Sequence, residues 1–163
     1  MPQRKAGDVM NRELVTLSPD DDVYEAMQIF LRRRFSGAPV VDADGRLVGI
    51  LSEKDCLRVL AGEAWDGLPE GKVRDYMTTT VATVGAATPL IDVVGLFLHR
   101  PYRRLPVVDH DGRVLGQISR RDVLRAILDM RDNTYLYGSE DHGVDLEDTF
   151  GVDSAMRLAR RIH

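Results

Sequence analysis

A chain of 163 residues, 44% hydrophobic and 29% charged, can form one ordinary domain or two half-domains sharing a core, and lies far from the composition of disordered chains. Its 22 basic and 26 acidic residues leave a net charge of −4, which argues against nucleic-acid binding because that needs a clustered basic face. No apolar run approaches the roughly 20 residues of a membrane span, and the first residues lack the apolar stretch of a secretory signal, so neither membrane insertion nor export is expected and the expected location is cytoplasmic. The single cysteine, Cys56, excludes an internal disulfide and a cysteine zinc ribbon and reads as core packing.

Met10 to Leu17 reads as a leading strand. Ser18-Pro19 sets a capping hydroxyl before a proline suited to the first helical position, and Val23, Ala26, Met27, Phe30 and Leu31 follow at helical spacing. Two apolar runs, 38–41 and 47–51, flank Asp42-Ala43-Asp44-Gly45 and predict a hairpin, after which Ser52 opens a second helix. The stretch 62–72, rich in glycine and holding Pro69 and Trp65, reads as a linker anchored by the tryptophan. The same order then returns. Met77 to Val84 gives a strand, and Thr88-Pro89 opens a helix carrying Leu90, Val93, Val94, Phe97 and Leu98. A hairpin follows around Asp109-His110-Asp111-Gly112, and the last helix begins after Ser119. Beyond Asp129 the pattern stops. Residues 132–153 hold seven acidic side chains and no Lys or Arg, and 156–161 form a short basic helix pattern that can fold back, pack on a partner or stay mobile.

Sliding the chain against itself by 67 residues explains the recurrence: 18 of the 51 positions from 8 to 58 are identical to their counterparts. Pro39-Val40-Val41-Asp42 returns as Pro106-Val107-Val108-Asp109, Asp44-Gly45-Arg46 as Asp111-Gly112-Arg113, and Gly49, Ser52, Asp55, Leu57 and Arg58 as Gly116, Ser119, Asp122, Leu124 and Arg125. A unit of about 50 residues is too small to bury a good core alone, so two copies packed together are expected.

Ser52-Glu53-Lys54-Asp55 and Ser119-Arg120-Arg121-Asp122 stand where a strand steps into a helix. Ser with an acid three residues on resembles a capping box, which accounts for the pattern without any ligand. The same residues also suit one: a helix start offers free N–H groups to an anion, and a carboxylate one turn in can accept both hydroxyls of a ribose. The four histidines, His99, His110, His142 and His163, show no metal spacing and are placed on the surface, so no metal site is expected; no Walker loop, GxSxG or zinc signature is present.

The repeated frame Pro-Val-Val-Asp-x-Asp-Gly-Arg followed by Gly-x-x-Ser-x-x-Asp resembles the CBS-domain family, over about residues 8–128. The resemblance implies an α+β fold of two tandem β-α-β-β-α repeats about a pseudo-twofold axis. Repeat 1 is expected over 1–61, the linker over 62–72, repeat 2 over 73–130 and the tail over 131–163. It implies clefts for AMP, ADP, ATP or S-adenosylmethionine, each built from both repeats, with Asp55 and Asp122 on ribose. One cleft would join Ile50, Ser52 and Asp55 to Met77, Ala82, Tyr102 and Arg103; the other would join Gln117, Ser119 and Asp122 to Met10, Val15, Phe35, Ser36 and Gly37. Arg103, Arg104, Arg120 and Arg121 are the phosphate candidates, because a guanidinium presents a planar fork to phosphate oxygens. Gln117 departs from the apolar Ile50 of the first copy. The expected role is a homodimeric regulatory sensor acting on another protein, with no cofactor and no catalysis; the alternative is a ligand-independent dimeric scaffold that makes contact through the tail.

Overall fold

The computed structural model describes residues 4–61 and 70–137. Trp65, most of the linker, the basic helix at 156–161, His142 and His163 lie outside the described residues. The chain divides into two compact units, residues 1–127 and 128–163. The first holds both repeats. Of the second, 128–137 is described and is helical. Among the described residues no helix is long and apolar enough to cross a membrane.

The first repeat runs α1 (Ala6–Val9), α2 (Val23–Arg33), β1 (Gly37–Val41), β2 (Leu47–Ser52) and α3 (Glu53–Ala61). The second runs α4 (Val73–Tyr76), β3 (Val84–Gly85), α5 (Leu90–His99), β4 (Arg104–Val108), β5 (Val114–Ser119) and α6 (Arg120–Tyr137). Each hairpin is antiparallel with the same register, Gly37 opposite Ser52 and Arg104 opposite Ser119, and the same irregularity, at Val40/Val41 and Val107/Val108. The connecting turns are built alike. Asp42 Oδ1 accepts the N–H groups of Asp44 and Arg46, Asp109 Oδ1 accepts those of Asp111 and Arg113, and Gly45 and Gly112 take the positive φ of 80° and 81° that side chains disfavour.

The leading strands differ from expectation, for a topological reason. Residues 10–17 form no continuous ladder, because Asn11 pairs antiparallel with Gln117 of the other repeat and Leu17 pairs parallel with Val40 of its own. A segment that changes sheets over so short a length cannot keep one partner. Its counterpart bridges Ile50 at Thr78 and joins β4 at Val84–Gly85.

The helix starts also differ. Asp22, rather than Ser18, caps α2, accepting from Tyr24 (2.8 Å) and Glu25 (3.1 Å). Ser18 instead closes a turn in which its N–H donates to Asp21 Oδ2. Thr88 likewise accepts from the Gly85 N–H, and Pro89 stands at the cap of α5 without a side-chain bond. The true cap positions, Asp22 and Pro89, keep the 67-residue offset that Ser18 and Thr88 break.

The two short helices α1 and α4, which no apolar pattern announces, are exchanged between repeats. Ala6 and Gly7 donate backbone N–H bonds to Thr88 and Ala86, and Leu90 donates to Arg4. The reciprocal set has Val73 and Arg74 donating to Asp21 and Pro19, and Val23 donating to Gly71. Each bond has its partner 67 residues away, which is the pseudo-twofold axis written in hydrogen bonds. Both helices are capped by the same device, the Lys5 N–H to Asp8 and the Lys72 N–H to Asp75, each at 2.8 Å. Consequently Val73, fully buried, belongs to the core of the first repeat with Leu17, Val23, Phe30, Val40, Leu51 and Val59. Burying such a side chain stabilises by about 1.5–3 kcal/mol, so the exchange holds the halves together through their cores. Asp20 adds an exposed ion pair to Lys72 and Arg74 across the same seam. The Lys72 hydrogen bond, reinforced by the Arg74 charge, holds its carboxyl below the usual range. A second seam lies at the hairpin tips, where Arg46 Nε donates to Asp111 O and Arg113 Nε to Asp44 O.

Cys56 is buried in the first core, as its sequence context implied. Burial, with the charges of Asp55 and Glu53 beside it, pushes its thiol up to about 11.

Candidate functional site

The exchange brings the stretch after α1 against β5 and the start of α6. Asn11 and Gln117 exchange backbone hydrogen bonds at 2.9 and 3.0 Å, which fixes the first residues of this stretch over the second hairpin. Between them opens a cleft of about 340 Å³, lined from the first repeat by Asn11, Glu13, Leu14, Val15, Phe35, Gly37 and Pro39, and from the second by Arg104, Gln117, Ser119, Arg121 and Asp122. That volume is at the lower end of the range of about 300–1,000 Å³ typical of small-molecule pockets.

Asp122 sits at the first turn of α6. The Ser119 N–H and hydroxyl both donate to its Oδ2, at 2.8 and 2.6 Å, and its own N–H returns to Ser119 Oγ at 3.4 Å. The cap and the carboxylate are thus one unit. One oxygen is spoken for, while among the described residues Oδ1 meets the exposed Arg125 guanidinium at 3.6 Å, and the side chain, 17% exposed, lines the cleft.

Asp55 is built the same way and then closed. Ser52 donates to Oδ2 through N–H (2.9 Å) and hydroxyl (2.7 Å), but here Thr78 Oγ1 also reaches Oδ1 at 3.4 Å, Arg58 lies at 3.4 Å, and side-chain exposure falls to 6%. Thr78 is the counterpart of Asn11, whose side chain turns away to accept the Glu13 N–H. Asp122 thus lines a cavity without a contact from Asn11, whereas Asp55, nearly buried, has one from Thr78.

Of the residues singled out from sequence, Val15, Phe35, Gly37, Arg104, Gln117, Ser119, Arg121 and Asp122 come together in this cleft. Met10 and Met77 do not line it; they pack against Gly116 and Gly49, the two points where the repeats cross. Ser36 borders the cleft through Arg104, whose Nη2 donates to its hydroxyl. Ile50 holds Thr78 through paired backbone bonds, beside Ser52 and Asp55 in the closed half. Tyr102 and Ala82 are half-buried, and Arg103 and Arg120 are exposed; none of these four lines the Asp122 cleft. Asn11, Glu13, Leu14 and Pro39 line it without having been expected there. The signal for Asn11 and Glu13 lies in the poorly matching stretch 11–15 of the 67-residue comparison, where the copies differ.

Arg104 is the counterpart of Gly37, so only one half carries a cation there. Burial holds its guanidinium below the usual arginine range, and neighbouring Arg103 acts in the same direction, while Glu53 and Asp122 oppose. Asp109, His110 and Asp111 also bring potential metal-ligand atoms together, but Asp109 is occupied by the turn's N–H groups and Asp111 by Arg113.

The CBS-domain family model matches this chain twice, at residues 6–62 and 73–129. The chain is similar to the crystal structure of CBSX2 from Arabidopsis thaliana in complex with AMP: 32% identity, covering 78% of this chain and 98% of that one, TM-score 0.70. It is also similar to the CBS domain pair of protein MJ0100 in complex with 5-methylthioadenosine and S-adenosyl-L-methionine: 25% identity, covering 79% of this chain and 99% of that one, TM-score 0.67. Inosine-5'-monophosphate dehydrogenase of Methanocaldococcus jannaschii is 33% identical over 122 residues, 75% of this chain; the chain spans 23% of that enzyme. With two family matches covering both copies of the repeat and an α+β architecture shared with solved CBS pairs, this chain belongs to the CBS-domain family, as a tandem pair.

Proposed function

We propose that the chain is a regulatory module that binds an adenosyl ligand in the Asp122 cleft, without catalysing its conversion. The observation that carries this is the asymmetry between the two carboxylates: Asp122 lines a cavity between the two repeats with its side chain 17% exposed, whereas Asp55 is 6% exposed and bonded to Thr78. In this reading Asp122 accepts the ribose hydroxyls, Val15, Phe35 and Pro39 enclose the adenine, and Arg104 and Arg121 face the phosphate end. AMP in the CBSX2 complex and the adenosyl compounds in the MJ0100 complex support the ligand class. Because the walls come from both repeats, occupancy favours the arrangement in which they are closed on each other, by about 2.7 kcal/mol at a ligand concentration a hundred times Kd. Calorimetry with AMP, ADP, ATP and S-adenosylmethionine tests the reading: at least one binds with about one ligand per chain, and heat from none of them overturns it.

A second observation bears on assembly. Leu31 and Leu57 are strongly exposed at an apolar groove between α2 and α3, whose walls include Tyr24, Met27 and Phe30. The duplication repeats both leucines as Leu98 and Leu124 on α5 and α6, also exposed, with Ile91 and Ile127 nearby in sequence. One chain therefore offers two matching apolar faces, which a twofold-related second copy can cover together, and a homodimer is the assembly proposed. Light scattering on the eluting protein should give a dimer for the wild type and a monomer for Leu31→Asp combined with Leu57→Asp. A monomeric wild type at tens of micromolar overturns it.

A further inference from the structure

A net charge of −4 describes the whole chain and not every face of it. Residues 32–34, 100–104 and 120–121 hold eight of the 22 basic side chains and none of the 26 acidic ones. The fold brings these segments to one edge. Within each repeat the end of α2 or α5, the first residue of the hairpin and the start of α3 or α6 lie together, because Gly37 stands opposite Ser52 and Arg104 opposite Ser119. Arg104 then joins the two edges, donating through Nη1 to Gly37 O at 3.1 Å and through Nη2 to Ser36 Oγ. Arg33, Arg34, Arg100, Arg103, Arg120 and Arg121 are exposed there, and among the described residues no ion pair or side-chain hydrogen bond engages any of them. Arginines elsewhere are treated differently: Arg46, Arg74, Arg113 and Arg131 each pair with an aspartate. Few carboxylates answer the charge at this edge. Asp55 and Asp122 are tied to their serines, and Glu53 is followed by Lys54.

Like charges crowded at one edge repel, and a polyanion that neutralises several at once relieves them. The clustered basic face that the whole-chain charge did not reveal is therefore present here. Aromatic residues choose among polyanions. Phe35 follows Arg34, and Tyr102, half-buried and outside the Asp122 cleft, stands between Arg100 and Arg103. An acidic polypeptide gains little from a ring, whereas a single strand supplies bases that stack on it while its phosphates take the guanidinium forks. We propose that the arginine edge binds single-stranded nucleic acid without regard to sequence. Of the six exposed arginines only Arg121 also lines the Asp122 cleft, so this binding stands apart from whatever that cleft takes.

Fluorescence anisotropy of the full chain with a labelled oligouridylate of about 20 nucleotides tests it, with thermal melts to establish that each variant folds. At about 50 mM salt the wild type should bind with a Kd on the order of 10 µM, and log affinity should fall against log salt with a slope of about −3.5, as about five phosphate contacts give. Arg100→Ser combined with Arg103→Ser should weaken the strand about tenfold and flatten the slope by about 1.4, since two contacts are gone. Tyr102→Leu should also weaken it about tenfold, but with the slope unchanged, because a stacked base rather than a phosphate is lost. Lys72→Ser combined with Arg74→Ser removes two charges away from this edge and should leave affinity within about threefold. No binding at about 100 µM protein, or a control variant that loses as much as the Arg100 and Arg103 pair, overturns the proposal. So does poly-glutamate of equal charge binding as tightly as the strand, or a Tyr102→Leu variant that binds like the wild type; either result assigns the edge to an acidic protein instead. Should Tyr102→Leu fail to fold, the poly-glutamate comparison decides between strand and protein.

Discussion

Replacing Asp122 with alanine should weaken the adenosyl ligand by at least about 100-fold, while replacing Asp55 should leave affinity within about threefold and lower stability instead. Both carboxylates cap their helices through the same serine bonds, so sequence alone treats them as equals. What separates them is the remaining oxygen. At Asp122 the side chain lines the cleft, and two hydroxyl hydrogen bonds to a charged acceptor are together worth about 3 kcal/mol or more. At Asp55 it also receives the Thr78 hydroxyl, beside an arginine contact that both carboxylates make, and the carboxylate is nearly inaccessible, so its loss strands the Ser52 and Thr78 donors in the seam between repeats. That should cost about 2–3 kcal/mol, a fall in Tm of about 5 °C or more. Calorimetry and thermal unfolding on the two variants check both halves of the statement. Equal loss of binding in the two would mean that ligand reaches both carboxylates.

The duplication alone makes much of the architecture legible in the residues: two hairpins, two helices after the Ser-x-x-Asp steps, and a shared core. Periodicity finds α2 and α5 through their apolar stripes. It misses where they begin, because the dipeptides Ser18-Pro19 and Thr88-Pro89 look like caps when taken singly. In the fold they serve turns one step earlier, and Asp22 does the capping of α2. It misses α1 and α4 altogether, since four residues carry too little pattern to register. Their only trace is the paired Lys-x-x-Asp at 5–8 and 72–75. The site is legible as a set of residue types and only partly as a place. Which half holds an open carboxylate depends on Asn11 against Thr78, and which half holds the cation depends on Gly37 against Arg104. Both are positions where the copies disagree, and a comparison that counts identities passes over them.

The largest stability effect is expected where the repeats cross. A Cβ on Gly116 would lie 2.8 Å from the carbonyl oxygen of Asn11 and 2.8 Å from Met10 Sδ; on Gly49 it would lie 2.8 Å from Met77 Sδ and 3.0 Å from the Thr78 oxygen. The obstacles are of the same kind at both glycines: a flexible thioether that can swing aside, and a carbonyl oxygen held by a backbone bond, from Gln117 to Asn11 and from Ile50 to Thr78. Gly116→Ala and Gly49→Ala should therefore each cost about 1–3 kcal/mol, Gly116→Ala the more because its carbonyl lies closer. The two should diverge in function. The Asn11–Gln117 pair sets the first residues of the cleft wall, so Gly116→Ala should also weaken the adenosyl ligand about tenfold, while Gly49→Ala, pressing on the closed half, should leave it nearly unchanged. Urea unfolding with parallel calorimetry reads both quantities. An equal loss of ligand affinity in the two variants would mean that the pairing of Asn11 with Gln117 is not what holds the cleft in shape.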